Sequence, residues 1–429
     1  MAALPLDGVR ILDFTWVVAG PVATRILADH GAEVVKVERK DPPQLGNRKL
    51  GLQCDLNRGK LSVALNMQHP RGVELARRLA AKSDVVIDNF SARVMRSWGM
   101  DYESLAAVKA DIICISMSGL GHTGPRSSYV SYGPTLQALT GYTMLMAEPD
   151  GTPAGYGYSY ADTCGGYTGA LAALIALWHR HRTGRGQFVD LAQFEAVASV
   201  IGPALLDISV NGRTQSAPGY NSQEGPAAPH GVYKCRPLDG DDDRWVAIAV
   251  STGPEWRRFV TAIGSPSWAS DSKFRTLYLR MQNSAELDAN VSRWTAEHSA
   301  EDAMAILQRA GIAAGVVENG IDLCARDPQL KERGFWPAVS TAKGTTRARR
   351  LTSPASRSSF PAGREKFARS RPRSARISTT CSASCSGLAA QSAMNWSSPA
   401  PSGPDRSRIR VTQVKIPQVT RIARSPSLR

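Results

Sequence analysis

The chain has 429 residues, 42% hydrophobic and 21% charged, enough for two domains of ordinary size with a substantial buried core. No run of about 18 apolar residues occurs, and Met1–Gly8 lacks the basic stretch and apolar segment of a signal peptide. Seven irregularly spaced Cys, without Cys-x-x-Cys or a zinc-spaced Cys/His set, predict reduced thiols in a cytoplasmic protein and no metal site. The net charge of +15 is confined to Ser340–Arg429, with 18 Lys and Arg against 2 acids; the body carries 34 basic and 35 acidic residues. A neutral body gives no electrostatic footprint for DNA, and the tail lacks interleaved aromatics, so nucleic-acid binding through it remains only the rival reading.

Taken in chain order, Val9–Thr15 reads as a buried strand ending at Ala19-Gly20-Pro21. Pro21 suits the first turn of a helix running to Asp29, with Gly31 as the terminating glycine. Further strands are expected at Ala32–Glu38, Leu61–Leu65, Asp84–Phe90 and Asp111–Ser116. An amphipathic helix over Pro70–Lys82 and helical residues from Arg93 to Lys109 lie between them. Strands alternating with helices imply parallel βαβ units, hence an α/β, Rossmann-like sheet whose ligands sit beyond the carboxyl ends of the strands. A long helix is predicted from about Thr163 to Arg182, with Leu171, Leu174, Ile175 and Trp178 at helical spacing and a basic last turn. The Arg182–Gly186 turn and a strand over Gln187–Leu191 follow. Residues 201–338 read as a linker and a smaller α+β domain, with a strand at Trp245–Val250 and helices at Trp256–Ile263 and Glu301–Ala310.

Three local patterns offer chemistry. Asp162 precedes a run of small residues at a helix start. It reads either as an N-cap or as a nucleophilic carboxylate, with Gly165 and Gly166 leaving room for a bulky acyl ligand. Gly119-Leu-Gly-His-Thr-Gly124 follows a strand but is succeeded by Pro125 and polar residues, which disfavours a dinucleotide fingerprint and favours phosphate or pantetheine contact by loop amides. His122 reads as a hydrogen-bonding rather than a catalytic His, and Cys164 as a packing residue rather than a nucleophile.

Several strings agree on one family. Leu6-Asp-Gly-Val-Arg-Ile-Leu-Asp-Phe with Val-Ala-Gly-Pro21, Leu27–Glu38, Asp88-Asn-Phe90, Ser116–Pro125, Ala161-Asp162, Arg182–Asp190 with Glu195, and Ala310–Trp336 resemble, in order, the class III CoA-transferases of the CaiB/BaiF group. The resemblance covers residues 4 to about 338. It implies a large CoA-binding domain over 1–200, a homodimer of two interlocked chains, and acyl-CoA and carboxylic-acid substrates with no permanently bound cofactor. It makes Asp162 the nucleophile, passing through a mixed anhydride and an aspartyl-CoA thioester. It puts CoA contacts at Val18, Ala19, Arg39, Asn89 and Phe90, and at Arg93, Arg96 and Ser97 around a family basic position. The related racemases use a His about 30 residues before the Asp. This sequence has Tyr132-Gly-Pro-Thr there, which favours the transferase. The mobile tetraglycine loop of formyl-CoA transferases has no counterpart, 218–225 being nearest, so formyl or oxalyl specificity is not expected.

From Ser340 periodicity vanishes, and 18 Ser and 15 Arg fill the last 90 residues. Such composition permits natural disorder. It also suits a displaced reading frame beginning near Val339–Ser340. With one offset, residues 352–361 and 371–396 can be back-translated to a strand and a closing amphipathic helix that resemble the family's C-terminal unit.

Overall fold

A computed structural model describes residues 4–39, 51–146, 152–155, 157–213 and 226–336, and two short strands at 338–339 and 351–352. The sequence readings on 218–225 and on the tail beyond 352 lie outside the described residues.

Six parallel strands form the main sheet: β1 (Arg10–Asp13), β2 (Glu33–Glu38), β3 (Leu61–Ala64), β4 (Val85–Asp88), β5 (Ile113–Ser116) and β6 (Gln187–Asp190), in spatial order β3-β2-β1-β4-β5-β6. Helices α1 (Ala19–Asp29), α2 (Gly51–Leu56), α3 (Pro70–Ala80), α4 (Val94–Ser97), α5 (Tyr102–Ala106), α6 (Gly133–Leu139) and α7 (Tyr160–Thr183) intervene. The strands carry continuous apolar runs because both faces are covered. Ile11, Val34, Val85, Ile87, Ile113 and Ile115 pack on one face with α1 and α7. Leu12, Val86 and Cys114 point the other way, joining Ala76, Met95 and Met100, as the two-residue side-chain period requires. The helical residues expected over 93–109 form two short helices. Gly99, at positive φ, separates them.

Strand order reverses direction between β1 and β4, the point where an open α/β sheet leaves a crevice for a ligand. The loops leaving β1 and β4 flank it. Beyond α8 (Gln193–Val200) and α9 (Gly202–Asn211), a three-stranded antiparallel sheet, β7 (His230–Lys234), β8 (Trp245–Ala249) and β9 (Ala313–Val316), packs on a second apolar core. That core is built from α10 (Gly253–Ala262), α11 (Leu277–Gln282), α12 (Ser284–Ala296) and α13 (Ala300–Arg309), around Phe259, Phe274, Leu287 and Leu307. Ala338–Val339 pairs antiparallel with Leu351–Thr352.

The large apolar residues of α7 do not face the core. Leu171, Ile175 and Trp178 are 56, 57 and 63% exposed, while Gly165, Gly166, Gly169, Ala170, Ala173 and Ala176 are buried. A Cβ on Gly166 would stand 2.5 Å from Val22 Cγ1 and 2.9 Å from the Ala19 carbonyl, and one on Gly169 would stand 2.5 Å from Met117 Sδ. These glycines let α7 lie directly on α1. The room read at Gly165 and Gly166 for a substrate is therefore taken by protein: Gln193 occupies it at Gly165, and α1 at Gly166.

Candidate active site

Asp162 and Gly166 are four residues apart, hence on one face of α7. The small-residue face that packs on α1 thus delivers Asp162 to the start of α1, at the crevice. The carboxylate is half-buried and lies beside the backbone N–H of Ala19, the first residue of α1, near enough for that amide to favour its ionised form. Burial pushes its pKa above the usual carboxylate range, opposed by the Ser159 hydroxyl and the Ala19 amide. Asp162 is not an N-cap: Ser159 holds that position, and Asp162 lies inside the first turn. Ser159, at the N-cap of α7, and the Ala19 amide of α1 are the groups beside it.

The Ala19 amide is aimed by a strained loop. Val17 adopts φ 61°, an outlying conformation for a β-branched residue that costs on the order of 1–3 kcal/mol. The loop is held from the next strand. The Asn89 side chain accepts from Trp16 N–H and donates to Trp16 C=O, both at 2.9 Å. Beneath it, buried Asp13 accepts from Thr15 Oγ1 at 2.6 Å, Thr24 Oγ1 at 2.7 Å and Lys60 Nζ at 3.2 Å. Lys60 also donates to the Pro21 carbonyl at 3.1 Å, tying the first turn of α1 to this network. Burial lowers the Lys60 pKa to about 8, Asp13 opposing the fall. Burial alone would raise the Asp13 pKa; Lys36 and Lys60 outweigh it and hold the carboxyl below its ordinary range.

The family model for CoA-transferase family III matches residues 6–373. The chain belongs to that family. A CaiB/BaiF family protein from Brucella suis has a similar solved structure, with TM-score 0.71 and 31% identity over 78% of this chain and 89% of that one. A succinyl-CoA–D-citramalate CoA-transferase of Chloroflexus aurantiacus is 31% identical over 375 residues, 82% of this chain and 91% of its own length. A succinate–glutarate CoA-transferase of Agrobacterium fabrum is 30% identical over 356 residues, 80% of this chain and 86% of its own. The chain spans 42% of the length of another relative, named Probable CoA-transferase, from Mycobacterium tuberculosis, at 33% identity. The protein is an enzyme of the CoA-transferase class.

In this transferase the sequence-predicted positions fall along the carboxyl edge of the sheet. Val18 is half-buried and precedes α1; Ala19 is fully buried; Arg39 is exposed just past β2. Phe90 leans on Trp16, with ring centroids 6.3 Å apart, and meets Trp98 edge-on at 5.6 Å. Arg93 and Arg96 are exposed on and beside α4. Arg96 lies 3.7 Å from Asp101, and Ser97 Oγ donates to the Val94 carbonyl at 2.7 Å. Val18, Ala19, Asn89 and Phe90 converge on the loop beside Asp162. The Asn89 amide is committed to Trp16, so it shapes this loop whatever else it touches.

His122 stands elsewhere. Its Nε2 meets Ser116 Oγ at 2.7 Å, and Ser116 Oγ donates to Asp88 at 3.2 Å. Its backbone N–H donates to both Asp190 oxygens, at 3.1 and 2.9 Å, so this loop amide is not open to a phosphate. Burial raises the Cys164 thiol pKa, which disfavours a thiolate nucleophile. Among the described residues no group of three or more His, Cys, Asp or Glu is placed to hold a metal ion, and no single helix is long and apolar enough to cross a membrane. Sequence reasoning missed Ser159, Gly133, Trp16 and Lys60. Ser159 had a legible signal, a Ser three residues before an acid at a helix start. Gly133 and Lys60 had none, because only the fold brings them to α7 and α1.

Proposed function

We propose that the enzyme transfers CoA from an acyl-CoA thioester to a carboxylic acid, with Asp162 as the nucleophile. The observation that carries this reading is a half-buried carboxylate at the switch-point crevice, beside the Ala19 amide that follows a strained loop. One Asp162 oxygen attacks the thioester carbonyl; the C–S bond breaks, giving a mixed anhydride and CoA thiolate. The thiolate attacks Asp162 Cγ and expels the donor carboxylate, leaving an aspartyl-CoA thioester. The acceptor carboxylate attacks that thioester and expels CoA thiolate, which takes the new acyl group from the second anhydride and frees Asp162. Anhydride and thioester are close in reactivity, so a carboxylate moves CoA without hydrolysis where water is excluded.

In this reading Val18, Ala19, Asn89 and Phe90 line the pantetheine path. Arg39, Arg93, Arg96 and Ser97 lie where the nucleotide phosphates and adenine would run. CoA serves as substrate, with no cofactor resident. The exposed α7 stripe of Tyr167, Leu171, Leu174, Ile175 and Trp178 supports a homodimer, because a solvated apolar face of this extent calls for a partner. A cytoplasmic location suits the acyl-CoA substrates. The racemase reading is less supported: His122 is engaged with Ser116, and the groups identified at Asp162 are Ser159, Gly133 and Ala19.

The test is a screen of acyl-CoA donors against carboxylic acids, read by mass spectrometry, run in heavy water with a 2-methylacyl-CoA included. CoA exchange without deuterium uptake is expected. Rapid deuterium uptake without acyl transfer would overturn the transferase reading in favour of the racemase.

A further inference from the structure

Ser159 occupies the N-cap of α7, where a serine ordinarily accepts a hydrogen bond from the second or third amide of the helix. Its side chain makes no such bond. The hydroxyl is instead buried, and among the described residues it has no hydrogen bond of good geometry. It lies beside the Asp162 carboxylate, close enough to favour the ionised form. Gly133 defines the spot. A Cβ placed on it would stand 1.7 Å from Ser159 Oγ and 2.3 Å from Asp162 Oδ2, so the two oxygens lie within 4 Å of each other. Any residue larger than glycine at 133 would fill the notch in which they meet. A buried hydroxyl that declines its helix cap and finds no settled partner is a donor held in reserve, since leaving it unpaired costs free energy.

Building on the reaction proposed above, we propose that Ser159 is a further catalytic residue: its hydroxyl is the donor that stabilises negative charge on Asp162 Oδ2 while the aspartyl carbonyl is under attack. When CoA thiolate adds to Cγ of the mixed anhydride, the C–S bond forms and the carbonyl electron pair moves onto Oδ2. The Ser159 O–H shortens its hydrogen bond to that oxyanion without giving up its proton. Collapse returns the pair to the carbonyl, breaks the bond to the donor carboxylate and leaves the thioester. The same donor serves again when the acceptor carboxylate attacks the thioester. A loose ground-state contact suits this role, because only an interaction stronger in the transition state than before it raises the rate.

The experiment is single-turnover formation of the aspartyl-CoA thioester adduct on Asp162 by the full chain, followed as the CoA-sized mass gain of the quenched protein, with the dissociation constant for CoA measured in parallel. The donor is an acyl-CoA that the wild type accepts. Ser159→Ala is expected to slow adduct formation by about 10²-fold, with CoA binding and melting temperature unchanged because no cap is lost. Ser159→Cys, nearly isosteric with a weaker donor, should fall between. Adduct formation at the wild-type rate in Ser159→Ala would overturn the proposal. So would a loss of CoA binding or of the folded state in both variants that accounts for the lost rate, since that marks a structural role. Absence of any Asp162 adduct in the wild type is a different result, contradicting the parent reaction.

Discussion

Buried Asp88 and half-buried Asp162 stand near the carboxyl edge of the same sheet, and only Asp162 has the setting of a nucleophile. Asp88, at the end of β4, is the more perturbed: burial pushes its pKa up to about 7. Its carboxylate accepts from Phe90 N–H at 3.0 Å and from Ser116 Oγ at 3.2 Å, and His122 lies behind the serine. The chain Asp88–Ser116–His122 contains the residue types of a hydrolase triad, but the serine is in the middle. The imidazole therefore cannot relay between the acid and a free hydroxyl. Its surroundings, Met95, Cys114 and Phe188, belong to a cleft that Asp162 does not line. Asp162 lies at the switch-point crevice beside the Ser159 hydroxyl and the Ala19 amide, next to a glycine notch and a strained loop. A perturbed carboxyl marks burial; open approach and donors aimed at it mark chemistry.

The sharpest way to break this comparison is to neutralise each acid in turn. Asp162→Asn is expected to reduce CoA exchange by roughly 10³-fold or more, while Asp88→Asn keeps exchange near the wild-type rate. The reverse pattern in a steady-state exchange assay would reassign the nucleophile.

The loop that serves Asp162 gives the next effect. Asn89→Ala removes both hydrogen bonds to Trp16 and frees the Val17 strain to relax. The expected result is a fall in kcat of about 10- to 10²-fold, without a matching loss of melting temperature. If kcat holds, the clamp does not position the Ala19 amide.

Gly166→Ala tests the helix contact that delivers Asp162. The added methyl meets a backbone carbonyl as well as Val22, so stability should drop by about 1–3 kcal/mol in denaturant titration. An unchanged midpoint would mean that α7 and α1 have slack that their glycines do not suggest.

The smallest effect belongs to Asp88 and pH. Its folded pKa of about 7 lies above its ordinary value of 3.8. Between those values the folded protein keeps a proton that the unfolded chain has released. The stabilisation is complete below about pH 3.8 and is lost as pH rises through about 7. Asp88→Asn should therefore flatten the decline of melting temperature across that window. A variant with the wild-type slope would place the titration elsewhere.

Much of the fold was legible because buried parallel strands write themselves as short apolar runs between turns. All six strands of the main sheet were expected, each within two residues of its observed ends. Helix α7 was legible as a helix, but its buried face was not. The large residues at 171, 174, 175 and 178 look like a core stripe, and solvent meets them instead. The face that packs is made of glycine and alanine, whose message is close approach rather than apolar area. Asp162 was found through the Ala161-Asp162 match to a family, since its local sequence reads more readily as a helix cap. Gly133 and Lys60 reach the site only through tertiary packing, and a single sequence carries no trace of such distances. The C-terminal tail, where the sequence suggests a displaced frame, stands apart from this account of the crevice.

The central claim is that the acyl group and then CoA are carried on the Asp162 carboxylate. It is tested most directly by incubating the full chain with an accepted acyl-CoA, quenching with hydroxylamine and mapping the modified residue by peptide mass spectrometry. The account predicts a hydroxamate on Asp162, absent in Asp162→Ala and absent when acyl-CoA is omitted. A modification on Cys164, Asp88 or His122 with Asp162 untouched, in an enzyme that exchanges CoA, would contradict it.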